Sequence, residues 1–317
     1  MGHHHEEHGS ARPQLLVLRA LGLGDLLVAV PALHAIQRSF PDHRLLYAGP
    51  AWLADAVKLV GGYELLPLRG LDDVLPIPGG GVDIAVNLHG KGPQSTALLQ
   101  AAGPRAIMAH RGSGLDGPEW VEDMNERLRW ARLVQWHGID ADPRDGALNM
   151  PSVATPFPAA TVIHVGAAFA SRLWPAERFA LVSRRLSESG HRVIFTGSAG
   201  ERPRARDICR QAGLPGTAVL AGRLELREFA ACIAEARLVI SADTGAAHLA
   251  SAYARPSVVL FGPVGPDRWG PPPGPHVVLT RDALRRGDPF ADSPDPALLG
   301  VTVDDVLSAA AELTGAQ

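Results

Sequence analysis

The sequence predicts an α/β protein made of two doubly wound, parallel-sheet halves. Three observations carry this. The chain has 317 residues, which at about 100–200 residues per domain suits two domains. From Gln14 onward, short apolar runs alternate with segments of helical spacing, the pattern of strand–helix–strand units. The alternation breaks once, at Pro151, Pro156 and Pro158, and then restarts, as a linker would make it do. The expected divisions are a His-rich tail over 1–12, a first half over 13–150, a linker over 151–160 and a second half over 161–300. A helix over 301–317 is expected to pack back on the first half.

In the first half, Leu15–Leu18, Arg44–Ala48, Asp83–Asn87 and Arg105–Ala109 read as strands. Asp25–Phe40, Trp52–Val60, Gln94–Ala102 and Glu119–Trp136 read as helices. In the second half, strands are expected at Thr161–Val165, Arg192–Phe195, Ala218–Leu220, Leu238–Ser241, Ser257–Phe261 and Val277–Leu279. Helices are expected at Pro175–Ser189, Glu201–Ala212, Leu226–Ala236, Ala246–Ala254 and Val303–Leu313, the last capped by Thr302. Gly262–Pro275 reads as a proline-rich loop and 281–300 as irregular. In such sheets, ligands bind beyond the carboxyl ends of the strands, and two facing sheets place the site in the cleft between them.

Composition excludes several classes. The net charge is −3, so nothing global draws the chain to nucleic acid or an anionic membrane. No apolar stretch reaches the roughly 18 residues that span a bilayer, and the N-terminus lacks the order of a signal peptide; a cytoplasmic protein is expected. Cys209 and Cys232 are not in metal-binding or redox spacing and read as small buried apolar residues. Asp140-Ala141-Asp142 has no strand leading into it and reads as a solvated turn, so no metal is expected. All basic residues but Lys58 and Lys91 are arginine.

The chemistry-bearing residues follow strands. Gly22-Leu23-Gly24-Asp25 lies between the first strand and the first helix. It lacks the third glycine of a dinucleotide fingerprint, and no acid ends the second strand. Asp25 is either a helix cap or a general base taking a proton from an acceptor hydroxyl. In Ser241-Ala242-Asp243-Thr244-Gly245-Ala246-Ala247-His248, a polar turn opens a helix whose first amides can hold phosphate oxygens. The alternative is a capped helix with His248 packed inside. Between Gly166 and Pro175, small residues allow close approach of a ligand, and Arg172 can meet a diphosphate with its forked donors. Glu201 sits either in the first turn of a helix or against ribose hydroxyls. On the first half, Asn87, His89 and Gln94 flank a glycine-rich loop that is either a solvated turn or a place for sugar hydroxyls.

Taken together, Gly24–Leu33, Arg172–Phe179, Ala242–Leu249 and Phe261-Gly262-Pro263 resemble, in order and spacing, the ADP-heptose:lipopolysaccharide heptosyltransferase family, glycosyltransferase family 9, over roughly residues 14–313. The resemblance implies a GT-B fold, with the acceptor on the N-terminal Rossmann-like domain and the nucleotide-sugar on the C-terminal one. It implies an inverting transfer without metal or other cofactor. Asp25 would be the catalytic base. Gly166, Arg172 (where the family has a phosphate-binding lysine), Glu201, Asp243, Thr244, Gly245, His248, Gly262 and Pro263 would bind the donor. Gly22, Gly24, Asn87, His89 and Gln94 would bind the acceptor. The implied partners are a nucleoside-diphosphate sugar, ADP-linked and heptose-like, and a glycan or small-molecule acceptor, with no nucleic acid and no integral membrane segment. The alternatives are a sugar-nucleotide epimerase of similar fold and a non-catalytic nucleotide-sugar-binding protein. The first 110 residues show no charge-rich patch suited to a phosphorylated lipopolysaccharide core, which favours another envelope glycan or a secondary metabolite.

Overall fold

A computed structural model describes residues 12–79 and 81–315. All of the His-rich segment except Arg12 lies outside them. The first sheet holds β1 (Gln14–Leu18), β2 (Arg44–Gly49), β3 (Tyr63–Pro67), β4 (Ile84–Asn87) and β5 (Ala106–Met108), all parallel, in the order β3-β2-β1-β4-β5. Its helices are α1 (Leu23–Ser39), α2 (Ala54–Val60), α3 (Gln94–Ala101) and α4 (Glu126–Trp136). The second sheet holds β6 (Thr161–His164), β7 (Val193–Thr196), β8 (Leu238–Ala242), β9 (Ser257–Leu260) and β10 (His276–Leu279), parallel in the order β10-β9-β8-β6-β7. With it go α5 (Ala176–Glu188), α6 (Arg202–Ala212), α7 (Leu226–Ala234), α8 (Gly245–Ala252), α9 (Pro266–Trp269), α10 (Pro296–Leu299) and α11 (Val303–Thr314). β1 and β8 are buried at every residue, because helices cover both faces of such sheets.

The chain divides into two compact units. One contains Leu33–Trp120, Arg132–Ala141 and the described residues up to Leu21. The other contains Gly22–Ala32, Val121–Ala131 and everything described from Asp142 on. In the first, Leu16, Leu18, Leu46, Ala48, Leu66 and Leu99 form the core. In the second, Ile163, Trp174, Phe179, Phe195, Ile208 and Ile240 do so. Trp174 packs edge-on against Phe179 at 4.9 Å and donates its Nε1–H to the carbonyl of Val301 at 3.1 Å. Both cysteines are buried and free.

The structure departs from the sequence reading in five places. The helix expected from Glu119 starts at Glu126. The buried Arg129 guanidinium takes the carbonyls of Val121, Glu122 and Met124 at 2.6–3.3 Å, along with the Glu126 carboxylate at 2.9 Å. This holds the preceding segment in a loop. β3 had no counterpart in the sequence reading: it is half-exposed, with Glu64 pointing out to Arg44 and Pro67 at its end, so its pattern does not alternate cleanly. The strand expected at Ala218–Leu220 is a 3-10 turn over Gly216–Ala218 with a single bridge between Phe195 and Val219. The terminal helix, capped by Thr302 as expected, packs on the second sheet: Val306, Ala309 and Ala310 enter the core around Ile163 and Phe179. The segment 281–300 also contains α10, capped by the Asp295 carboxylate, which accepts from Ala297 N at 2.9 Å.

Candidate active site

The second sheet changes winding direction between β6 and β8, and the loops after such a switch point splay apart to leave a crevice. Here they line a cavity of about 380 Å³, within the size range of small-molecule sites. His164, Ala167, Ala168, Phe169 and Arg172 come from the end of β6 and its loop. Glu201 follows β7, and Asp243, Thr244, Gly245 and His248 follow β8. Trp269 closes α9, and Gly22, Leu23, Gly24 and Asp25 open α1. All belong to one compact unit.

Close approach explains the glycines. A Cβ on Gly24 would stand 3.0 Å from His248 Cδ2, and one on Gly245 would stand 2.8 Å from the Leu23 side chain. The Asp25 carboxylate accepts from Gly22 N at 3.1 Å, so it folds the turn and lines the cavity at once. The two roles weighed for it are compatible.

A charged chain crosses the cavity. Asp243, almost fully buried, has Oδ1 3.3 Å from His248 Nε2 and Oδ2 3.7 Å from Arg172 Nη1. The Trp269 ring meets His248 edge-on at 6.0 Å. Arg172 Nε is buried with no hydrogen-bond partner among the described residues. Its guanidinium therefore has donor capacity to spare for an anion. Thr244 N-caps α8 without a side-chain bond to the backbone; its hydroxyl lies 2.8 Å from Ser241 Oγ instead. The first amides of α8 and its positive dipole end thus remain available at the cavity.

The Arg172 loop is anchored from two sides. Arg204 on α6 donates to the carbonyls of Val165, at 2.9 Å, and Trp174. Ser171 donates through Oγ to Pro289 O at 2.6 Å and through N to Ala291 O at 3.1 Å. The Glu201 carboxylate is held by Ser198 N at 2.6 Å and fills the space where Gly166 has no Cβ; a Cβ there would lie 2.0 Å from it. Burial pushes the His164 imidazole below its usual pKa, with the Glu201 charge opposing.

Of the expected residues, Gly22, Gly24, Asp25, Arg172, Glu201, Asp243, Thr244, Gly245 and His248 share this cavity. Gly166 lies behind Glu201. Gly262 sits against Leu298 and the Ser171 carbonyl, and its own carbonyl takes Arg285, so Gly262-Pro263 packs beneath the site without lining it. Asn87, His89 and Gln94 are on the other unit. Asn87 is fully buried: its amide donates to Ser95 and Thr96 at 3.0 and 3.1 Å and accepts from His89 N at 3.1 Å. The expectation that Asn87 meets an acceptor is corrected, because its side chain is spent inside the fold. Gln94 is exposed. Asp142 pairs with Arg144 on the surface, and the described residues contain no cluster of three or more potential metal-ligating side chains. None of their helices is long and apolar enough to cross a membrane.

His164, Phe169 and Trp269 were missed. An isolated aromatic in a proline-rich loop, or a histidine ending a buried strand, carries no local sign of a site. A second cavity of about 460 Å³ shares His248 and includes Arg127, whose guanidinium burial pushes down to about 10.

The model of glycosyltransferase family 9 (heptosyltransferase) matches residues 145–284. Lipopolysaccharide heptosyltransferase 2 of Escherichia coli (strain K12) is 29% identical over 146 residues, 43% of this chain and 41% of that protein; the chain thus spans under half the length of this curated relative. Two solved structures align over nearly everything. A glycosyl transferase of family 9 from Veillonella parvula DSM 2008 does so with TM-score 0.78 and 18% identity over 97% of this chain and 99% of that one. The E. coli ADP-heptose lps heptosyltransferase II does so with TM-score 0.74 and 18% identity over 95% and 98%. These likenesses show the GT-B fold.

Proposed function

We propose that the chain is a heptosyltransferase-type glycosyltransferase, a reading supported by the family match over residues 145–284, and that it transfers a heptose-like sugar from a nucleoside-diphosphate donor, ADP-linked, to a hydroxyl of a glycan or secondary metabolite. The single observation that carries this reading is the shared cavity, in which a carboxylate at a helix start, a guanidinium with an unspent donor and a helix N-terminus that takes no side-chain cap bond converge.

In this reading the diphosphate lies against Arg172 and the first amides of α8, which neutralise the charge that grows as the sugar departs. Glu201 accepts from the ribose hydroxyls. The acceptor hydroxyl attacks the anomeric carbon in line with the leaving diphosphate, which inverts the centre, and Asp25 takes its proton. His248, fixed by Asp243 and Trp269, borders the sugar. The transfer needs no metal, a point that rests on the family resemblance and on Arg172 supplying the charge.

The test is a thermal-shift screen of nucleotide-sugars. A ligand at about 100 times its Kd adds about 2.7 kcal/mol of stability. ADP-heptose is expected to stabilise the wild type, and Arg172→Ala to lose about tenfold in affinity, the worth of one charge-assisted hydrogen bond. If no nucleoside-diphosphate sugar raises the melting temperature, the reading fails.

A further inference from the structure

His164 ends β6 and pairs in register with Thr196, which ends β7. Its Nδ1 lies 3.1 Å from the Thr196 hydroxyl, which is itself buried, and its ring lies against Phe229 with centroids 5.5 Å apart. The imidazole is thus fixed in plane and rotation. It lines the cavity together with Glu201, and its Nε2 takes no partner among the described residues. Burial pushes its pKa down, which favours the neutral ring. Of the two tautomers this contact allows, the Glu201 charge acting on the ring favours the one in which the Thr196 hydroxyl donates to Nδ1 and the proton sits on Nε2. The titratable group acting on it is Glu201, whose carboxylate can only accept.

We infer that His164 and Glu201 together read the donor's ribose 2′-hydroxyl. The inference rests on the proposed donor site. A hydroxyl both donates and accepts. Glu201 accepts its hydrogen bond, and His164 Nε2–H supplies the complementary donor to its oxygen. A carboxylate alone would favour any hydroxyl in reach; the pair asks for one that is doubly bonded and held at a fixed place. A 2′-deoxy nucleotide leaves both groups buried under the ligand without a partner, and this mismatch is what discriminates. Thr196 is a positioning residue: it fixes the tautomer without touching the ligand.

Calorimetric titration with ADP, 2′-deoxy-ADP and inorganic pyrophosphate tests this. The wild type is expected to prefer ADP over its deoxy analogue by about tenfold or more, the scale of one to two hydrogen bonds. His164→Ala should shrink that preference to within about threefold and leave pyrophosphate affinity unchanged. His164→Gln, which keeps an N–H donor, should retain most of the preference. Thr196→Val should lose part of it with the imidazole still present, which keeps the question open to test should the alanine variant fold poorly. An undiminished preference in His164→Ala overturns the inference. So does an equal fall in ADP and pyrophosphate binding, which marks a structural role. A wild type that binds pyrophosphate and ADP but ignores the 2′-hydroxyl overturns it while sparing the donor site; a wild type that binds neither removes both.

Discussion

At Gly166 a methyl group would land 2.0 Å from the Glu201 carboxylate. The obstructing group is the end of a flexible side chain, so Gly166→Ala is expected to displace Glu201 without unfolding the domain. Nucleoside-diphosphate affinity should fall about tenfold, the worth of one hydrogen bond to a charged group, with the melting temperature nearly unchanged. Titration calorimetry beside a thermal scan checks both halves of that statement. Arg172 makes the companion case. Its Nε is buried with no partner among the described residues, a cost that the proposed diphosphate would relieve. Lysine at this place would present a point charge in place of a planar fork, so Arg172→Lys should bind more weakly than the wild type and more tightly than Arg172→Ala.

Most of the elements were legible because the central strands of each sheet are buried on both faces: β1, β4, β6 and β8 read as short, mainly apolar runs. β3 and the start of α4 were not, and the reasons differ. β3 is an edge strand whose outward residues face water. The start of α4 is set by Arg129, which gathers carbonyls from residues 121–124, an interaction that no local pattern encodes. The same division holds for the site. Asp25, Arg172, Glu201 and the Asp243–His248 turn sit beside small residues and helix starts and could be singled out locally, whereas Trp269 and His164 join the same cavity only when strands far apart in sequence align. Two predictions belong at this scale. Thr302 and Asp305 form a reciprocal cap on α11, so Thr302→Ala should cost about 1 kcal/mol of stability, measured by urea unfolding. Asp83, between His43 at 3.0 Å and Arg105 at 2.7 Å, ties together the starts of β2, β4 and β5. Arg105 first, then His43, hold its carboxyl down at about 2. A carboxyl with a depressed folded pKa contributes its stability above its unfolded value, near 4, and loses it as pH falls toward 2. Asp83→Asn should therefore be less stable at pH 7 and show a flatter loss between about pH 4 and 2.

Across the whole molecule, the family match covers residues 145–284, and the cavity draws on that stretch plus the opening of α1. On the acceptor side no local mark separates a cavity residue from a packed one: Asn87 ends a strand beside a glycine-rich loop, but its side chain is spent on Ser95, Thr96 and His89 N. In the proposed function one cavity binds the donor through Arg172 and carries out transfer through Asp25. Titration of ADP-heptose into the wild type, Asp25→Ala and Arg172→Ala, followed by measurement of ADP release after an envelope-glycan fraction is added, separates the two roles. Asp25→Ala is expected to bind donor as tightly as the wild type and release ADP at least about a hundredfold more slowly, while Arg172→Ala binds weakly. Wild-type turnover in Asp25→Ala, or a wild type that does not bind the donor, would contradict the proposed function.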